Sequence, residues 1–562
     1  MRFRLSVPLV VILAMTSSSK AGAAAPQPPE IIFVADRVYT LDTDRPIAEA
    51  VAVKNGVIQA VGPSEEVLAL AGKNTAVRRL DGEVIVPGLV DAHCHLLGLG
   101  LGLDRLDLVG TSSYREVLEI VREKVESAPP GEWIQGRGWD QNDWAEAEWP
   151  TRDELDPIAA ENPVYLKRVD GHAALVNSRA LDLAGIDKDT PDPPNGKIVR
   201  SGGRPIGILI DDAMDLVAAV VPSPTKEMKR KAILRAAQLC MSAGLVGVHE
   251  AGVTKETLEV YREMADLGEL PFYVYAMISG TDDALDKLLE DGPEVRRGGV
   301  LTVRAIKLYA DGALGSRGAA MLEPYSDDPD NTGILMADED SLAAFTENAL
   351  RHGFQVCVHA IGDRANRVVL NAYARAQETA GVSGPDARLR VEHAQILAPE
   401  DIRRFGSLGV IASMQPTHCT SDMPWAPSRL GEDRLEGAYA WRSLLESGAH
   451  LAAGSDFPVE SYDPLLGFYA AVTRETTDGG PPNGWNPSEK MTRAEALAAF
   501  TSGAAYAAFE ENVAGTLAPG KRADMTVFSA DVMQVPKQDI LQVEVVMTIV
   551  GGRVLYEQEE VE

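Results

Sequence analysis

Cysteine is scarce, with only Cys94, Cys240, Cys357 and Cys419 in 562 residues and no CxxC spacing among them. A disulfide framework is therefore not expected, even in an exported chain. Cys94 and Cys357 fall on strand-like runs and Cys240 on a helical apolar stripe, so buried thiols are expected there, while Cys419 stays open. Basic side chains are also in deficit. Lys and Arg number 53 against 83 Asp and Glu, a net charge of -30. Such a surface repels nucleic acid and favours solubility, without fixing the charge of any pocket. The chain shows no short-period repeat and no low-complexity run beyond an Ala-rich piece near its start, and its one long apolar run falls short of the ~20 residues a bilayer span takes. With 45% hydrophobic and 24% charged residues, it reads as globular with an ample core.

That apolar run lies in MRFRLSVPLVVILAMTSSSKAGAAAPQPP, where Arg2 and Arg4 precede it and Ala21, Gly22 and Ala23 follow as a cleavage site. This is the form of a secretory signal peptide over residues 1–25. Its removal takes away three basic and no acidic side chains, leaving -33. The apolar part is followed by no Cys that could carry a lipid. Export to a bacterial periplasm or beyond is expected, with no stable membrane insertion after cleavage.

What the chain does carry is a series of short polar strings at the ends of apolar runs. DAHCH (Asp91 to His95) follows EVIVPGLV. In an extended chain Asp91, His93 and His95 share one face, so two imidazoles point the same way and could meet one metal. Taken alone, two histidines closing a strand end are an equal reading. Only nine histidines exist, however, and His359 ends FQVCVHA while His393 ends RLRVEHA; Asp456 follows the small-residue run in HLAAGSDFP. All sit where strands would exit.

Helical periods separate these runs. DEDSLAAFTENALRHG places Leu342, Phe345 and Ala349 on one side with Gly353 as a stop, ANRVVLNAYARAQETAG aligns Val369, Leu370 and Tyr373 before Gly381, and TKEMKRKAILRAAQLCMSAG aligns Ile233, Leu234, Ala237 and Met241. Strand followed by helix, repeated, predicts an α/β chain whose parallel sheet closes as a (β/α)8 barrel, with chemistry at the strand exits. Lys307 in AIKLYADG would share that mouth. Its chemistry alone favours a salt bridge with Asp311 or another carboxylate over a desolvated nucleophile or a carbamate able to bridge two metals.

The order HxH, strand Lys, two single His and a late Asp resembles the amidohydrolase superfamily. The strings VPGLVDAHCHL, GRGWDQNDW, RVDGHAALVNS, KLYADGALGSR, VHAIGDRA, VEHAQ, SMQPTHCTSDMPWA, AAGSDFPVE and LAPGKRADMTVF are similar to its YtcJ-like branch, which includes N-substituted formamide deformylases, from about residue 30 to the C-terminus. The resemblance implies that His93, His95 and Asp456 hold one divalent metal and His359 and His393 a second, bridged by Lys307 as a carbamate, with one ion as the alternative. Zinc is the first choice of ion, and manganese, iron or cobalt would fit. It implies cleavage of a non-peptide C–N bond, amide or formamide-like, by attack of metal-bound hydroxide on a small molecule, with Asp456 moving the proton. An esterase or cyclic amidase on the same cage, and a periplasmic binding protein without turnover, are the other readings.

Asp91 is expected to orient an imidazole. His172 and Arg317 are candidates to reach substrate or its oxyanion, and His418 with Trp425 to line the pocket; a structural hydrogen bond is an equal reading for each. His249, His352 and His450 read as structural or surface residues, and Arg137, Trp139 and Trp144 as a lid or wall, or as packing of an insert. Strand-like patterns over 30–86 and 511–562 predict one β-sandwich built from both termini, around a barrel over 87–510 that carries an inserted α+β subdomain over 101–222, above the pocket. A homodimer is left open.

Overall fold

The computed structural model describes residues 27–145, 148–169, 171–194 and 196–559, so the expected signal peptide lies outside the described residues. Eight strands succeed one another in parallel: β1 (Leu89–Cys94), β2 (Leu245–Val253), β3 (Tyr273–Ser279), β4 (Leu301–Tyr309), β5 (Gln355–Ala360), β6 (Arg390–His393), β7 (Ile411–Met414) and β8 (Leu451–Ala453). The seam between β8 and β1 is closed past the strand end, where Asp456 N donates to His93 O and His95 N to Phe457 O, each at 2.8 Å. The expected (β/α)8 barrel is present.

Helices α1 (Lys226–Ser242), α2 (Lys255–Leu267), α3 (Glu339–Arg351), α4 (Asp363–Ala380) and α5 (Pro399–Leu408) pack outside it. Their limits follow local chemistry. The side chains of Thr225 and Asp338 accept the orphan amides of Met228 and Ser341 at the starts of α1 and α3. Gly381, at φ 68°, ends α4 in the left-handed conformation that a Cβ disfavours. On α3 the buried face is Leu342, Ala343, Thr346, Ala349 and Leu350, at helical spacing, while Phe345 is only half-buried on its flank. No described helix is long and apolar enough to cross a membrane.

The two ends of the chain join in one seven-stranded sheet. Ile31–Tyr39, Ile47–Lys54, Val57–Gly62 and Ala76–Pro87 come from one end, and Met525–Phe528, Val545–Val550 and Arg553–Glu557 from the other. The sheet curls back on itself, because Ile58 N donates to Lys521 O just ahead of Met525, and it encloses Phe33, Val51, Ile85, Val527 and Ile549. Ala76–Pro87 then leads through Gly88 straight into β1.

Between Leu106 and Asp211 a second, six-stranded sheet carries its own core. Trp139 and Trp144 belong to that core: their indole N–H groups donate to Leu166 O at 2.8 Å and Thr111 O at 3.0 Å. They pack the insert and build no pocket wall, and the exposed Arg137 donates to Val169 O. All four cysteines are buried and free, Cys419 included.

Candidate metal centre

Strand parity explains most of the site. The barrel interior is filled by Ala251, Tyr275, Met277, Ala305 and Cys357. Two residues further along their strands, Lys307 and His359 therefore face the same axis at the mouth. On β1 His93 points inward and is 1% exposed, while Ala92 and Cys94 enter the outer packing. His95 lies one residue past β1, heading the helix Leu96–Gly102, whose first amides are taken by the Glu250 carboxylate. His393 has the wrong parity for an inward residue, since Arg390 and Glu392 take that face. A φ of 74° at His393 turns it back toward the axis, and Asp456 is held at φ 61°. Such backbone costs on the order of 1–3 kcal/mol each and gathers at functional sites.

The six expected residues converge on a cavity of about 390 Å³. The His93 and His393 rings are 5.0 Å apart and His359 and His393 4.6 Å. One ligand atom from each of His93, His393 and Asp456 lies within 4.8 Å of the others. Asp456 Oδ1 stands 3.1 Å from His95 Nε2 and 3.6 Å from His93 Nε2. Lys307, 1% exposed, has its Nζ 3.3 Å from His93 Nε2. It does not meet Asp311, whose carboxylate instead accepts from the amides of Ala320, Ile361 and Gly362.

The imidazoles are oriented from behind. His95 Nδ1 donates to Ala251 O at 3.1 Å, His393 Nδ1 to Gln415 Oε1 at 2.8 Å, and His93 Nδ1 to the Glu392 carboxylate. Each turns Nε2 toward the cavity; burial would lower His95, but its contact with the Asp456 carboxylate raises it. His359 is turned the other way, its Nε2 3.5 Å from Gly312 O. Burial, with the Lys307 charge next in size, holds His93 down at about 4 and His359 at about 3, so both are neutral. Burial also lowers Lys307. Asp456 is kept anionic because the neighbouring histidines, His95 foremost, outweigh the opposing effect of its burial.

Asp91 orients backbone, not an imidazole as expected. It accepts from His93 N at 3.0 Å, Ser455 N at 3.0 Å and Ser455 Oγ at 2.6 Å, tying β1 to the segment after β8, and its burial pushes it up to about 7. Glu392 and Arg390 were not singled out from sequence. Both are fully buried, and the Arg390 guanidinium is held by Ala92 O, Ser413 Oγ, His249 Nδ1 and Glu392. Their one signal was two opposite charges on alternate positions of an otherwise apolar run.

Of the two readings open for His172 and Arg317, the structure shows polar pairing away from the cavity. His172 is exposed in the insert, bonded to Asp211 at 2.8 Å, and Arg317 is paired with Asp327 at 3.0 Å; neither lines the cavity. No described residue of the insert does, so the wall comes from barrel loops, with Leu314, Ile361, Trp425 and Val459 among them. His418 does line it. His249 is buried behind the centre, His352 is exposed, and His450 stacks on Tyr506.

A family model described as the Amidohydrolase family matches residues 77–556. The chain belongs to the amidohydrolase family. It is 35% identical over 532 residues to YtcJ of Bacillus subtilis (strain 168), covering 93% of this chain and 98% of that one. It is 29% identical over 547 residues to N-substituted formamide deformylase of Arthrobacter pascens, covering 94% and 98%. An uncharacterized metal-dependent hydrolase of Pyrococcus furiosus superposes with a TM-score of 0.76 at 30% identity, over 90% of this chain and all of that one. This amidohydrolase is thus a metal-dependent hydrolase whose candidate ligands His93, His393 and Asp456 meet at the barrel mouth.

Proposed function

We propose that the chain hydrolyses a non-peptide C–N bond of a small amide or formamide-like molecule, with divalent cations, zinc first, held by His93, His95, His359, His393 and Asp456 and bridged by a carbamate on Lys307. One convergence carries this reading. Asp456 Oδ1 is buried without a hydrogen-bond partner among the described residues, and it faces His95 Nε2 at 3.1 Å and His93 Nε2 at 3.6 Å, while Nδ1 of both rings is already engaged from behind. A carboxylate oxygen converging with two imidazole nitrogens whose other nitrogens are taken suits a divalent ion.

A bound ion of this kind makes water acidic and polarises a carbonyl. Asp456 then accepts the proton of the attacking water as its oxygen bonds to the carbonyl carbon. As the C–N bond breaks and its electron pair goes to nitrogen, Asp456 returns the proton there. Leu314, Ile361, Trp425 and Val459 supply an apolar wall for the substrate's substituent. The formamide deformylase relative supports the bond type. We further propose that residues 1–25 direct export to the periplasm, which N-terminal sequencing of the exported protein checks.

The test is metal analysis of the purified chain with turnover on a panel of amides, formamides and esters, before and after chelation. Chelation is expected to abolish amide hydrolysis and a divalent salt to restore it; full activity without metal overturns the reading. Asp456→Asn is expected to stay folded and lose ~10²–10⁴-fold in kcat.

A further inference from the structure

His418 differs in kind from the other histidines of this site. It sits in the turn of helix Pro416–Asp422 that follows β7, lines the cavity, and has a side chain only 13% exposed. Its ring stacks on His393, centroids 5.9 Å apart and 25° between planes, and its Nε2 lies 3.9 Å from Asp456 Oδ2. The rings of His93, His95 and His393 are each fixed by a carboxylate, carbonyl or amide oxygen on Nδ1. Neither nitrogen of His418 makes a hydrogen bond to a described residue, and its Nε2 is buried without a partner. A metal-ligating imidazole almost always has its second nitrogen held from behind; this one does not.

A buried polar atom without a partner needs one from outside the chain. The cavity is where that partner comes from, and the atom beside it is the proposed proton carrier, Asp456. We infer that His418 is a catalytic residue which donates an Nε2–H hydrogen bond to the oxygen of the scissile carbonyl, strengthening as that oxygen gains the electron pair of the C=O bond. The inference rests on the hydrolase reading above. It assigns His418 to the substrate and not to the metals, and it makes the site selective for groups that present a hydrogen-bond acceptor on the β7 side of the mouth.

The test compares the full-length chain with His418→Ala and His418→Gln, the latter keeping a side-chain N–H donor. Metal content, kcat and KM on 4-nitroformanilide, and calorimetric binding of acetohydroxamate are measured for each. Expected for His418→Ala are unchanged metal content, a fall of ~10²–10³-fold in kcat with little change in KM, and roughly tenfold weaker hydroxamate binding; His418→Gln recovers part of both losses. Loss of metal in His418→Ala makes it a ligand and overturns the inference, as does a kcat and a hydroxamate affinity within about threefold of the parent. If the parent binds metal and hydroxamate yet hydrolyses no amide, the C–N reading fails, while dependence of hydroxamate binding on His418 still decides this inference. Should His418→Ala not fold, the same comparison is read from His418→Phe.

Discussion

At the scale of single residues, the centre is governed by a charge that never meets water. Glu392 is fully buried, and Arg390 and His93 hold it well below the usual carboxylate range although burial alone would raise it. It fixes the tautomer of His93, so Glu392→Gln, which keeps shape but not charge, is expected to weaken metal binding ~10–100-fold with the fold intact; a chelator competition measures it, and unchanged affinity removes Glu392 from this role. Lys307→Ala is expected to lower metal stoichiometry and turnover together, with partial rescue by a short carboxylic acid. Unaltered metal content and activity reject the carbamate. The gathering of His93, His95, His359 and Asp456 at one mouth was legible because an extended run ending in His or Asp predicts a strand exit. His393 was legible by the same pattern but for an incomplete reason, since parity alone points it outward and a positive φ brings it in. Arg390 and Glu392 were not, because a charged pair in a strand reads as one solvated face until the barrel is known to close over it.

At the scale of elements, the seam and the caps are the points where single groups decide geometry. At Gly454 a Cβ would come within 2.5 Å of both Asp91 Oδ1 and His93 N, so no larger residue lets the β8 exit approach β1. Nothing in AAGSDFP announces this, because the approach is to a segment more than 300 residues away. Helix Arg493–Ala498 shows the opposite case, a local device readable in principle from TRAE. Thr492 and Glu495 form a capping box. Glu495 is lowered from 4.5 to about 2, first by its bond with Arg442 and then by Thr492. A depressed folded value means the stabilisation is complete above about pH 4.5 and is lost as pH falls toward 2. Glu495→Gln is expected to cost ~0.5–1 kcal/mol at pH 7, a figure discounted for solvent exposure, and the difference from the parent to shrink toward zero at the acid end. Urea unfolding at several pH values checks both the size and the direction.

At the scale of the whole molecule, the barrel and the sheet from the two termini are one piece. Thr526 Oγ1 donates to Gly244 O at 2.7 Å and Thr548 Oγ1 to Met241 O at 2.6 Å, both at the base of the barrel beside α1. A chain ending before Met525 strips the partner from Val84–Pro87 and removes Val527 and Ile549 from their core. It is expected to be insoluble or to unfold without a cooperative transition, and a soluble, cooperatively folded truncation contradicts this coupling. The barrel and the paired termini were legible because strand-then-helix alternation and strand patterns at both ends survive as local signals. The position of the insert relative to the pocket was not: its length announced a separate unit, but only the long-range packing shows Trp139 and Trp144 turned into its own interior.

The run Ala76–Pro87 that leads into β1 takes its edge partner, Met525–Phe528, from the far end of the polypeptide. During synthesis the first pair of imidazoles therefore emerges several hundred residues before the strand that steadies its root, and Asp456 appears later than every histidine it faces. A fragment that stops short of residue 456 holds the imidazoles without the carboxylate that faces them, so the assembled cage belongs to the nearly complete polypeptide.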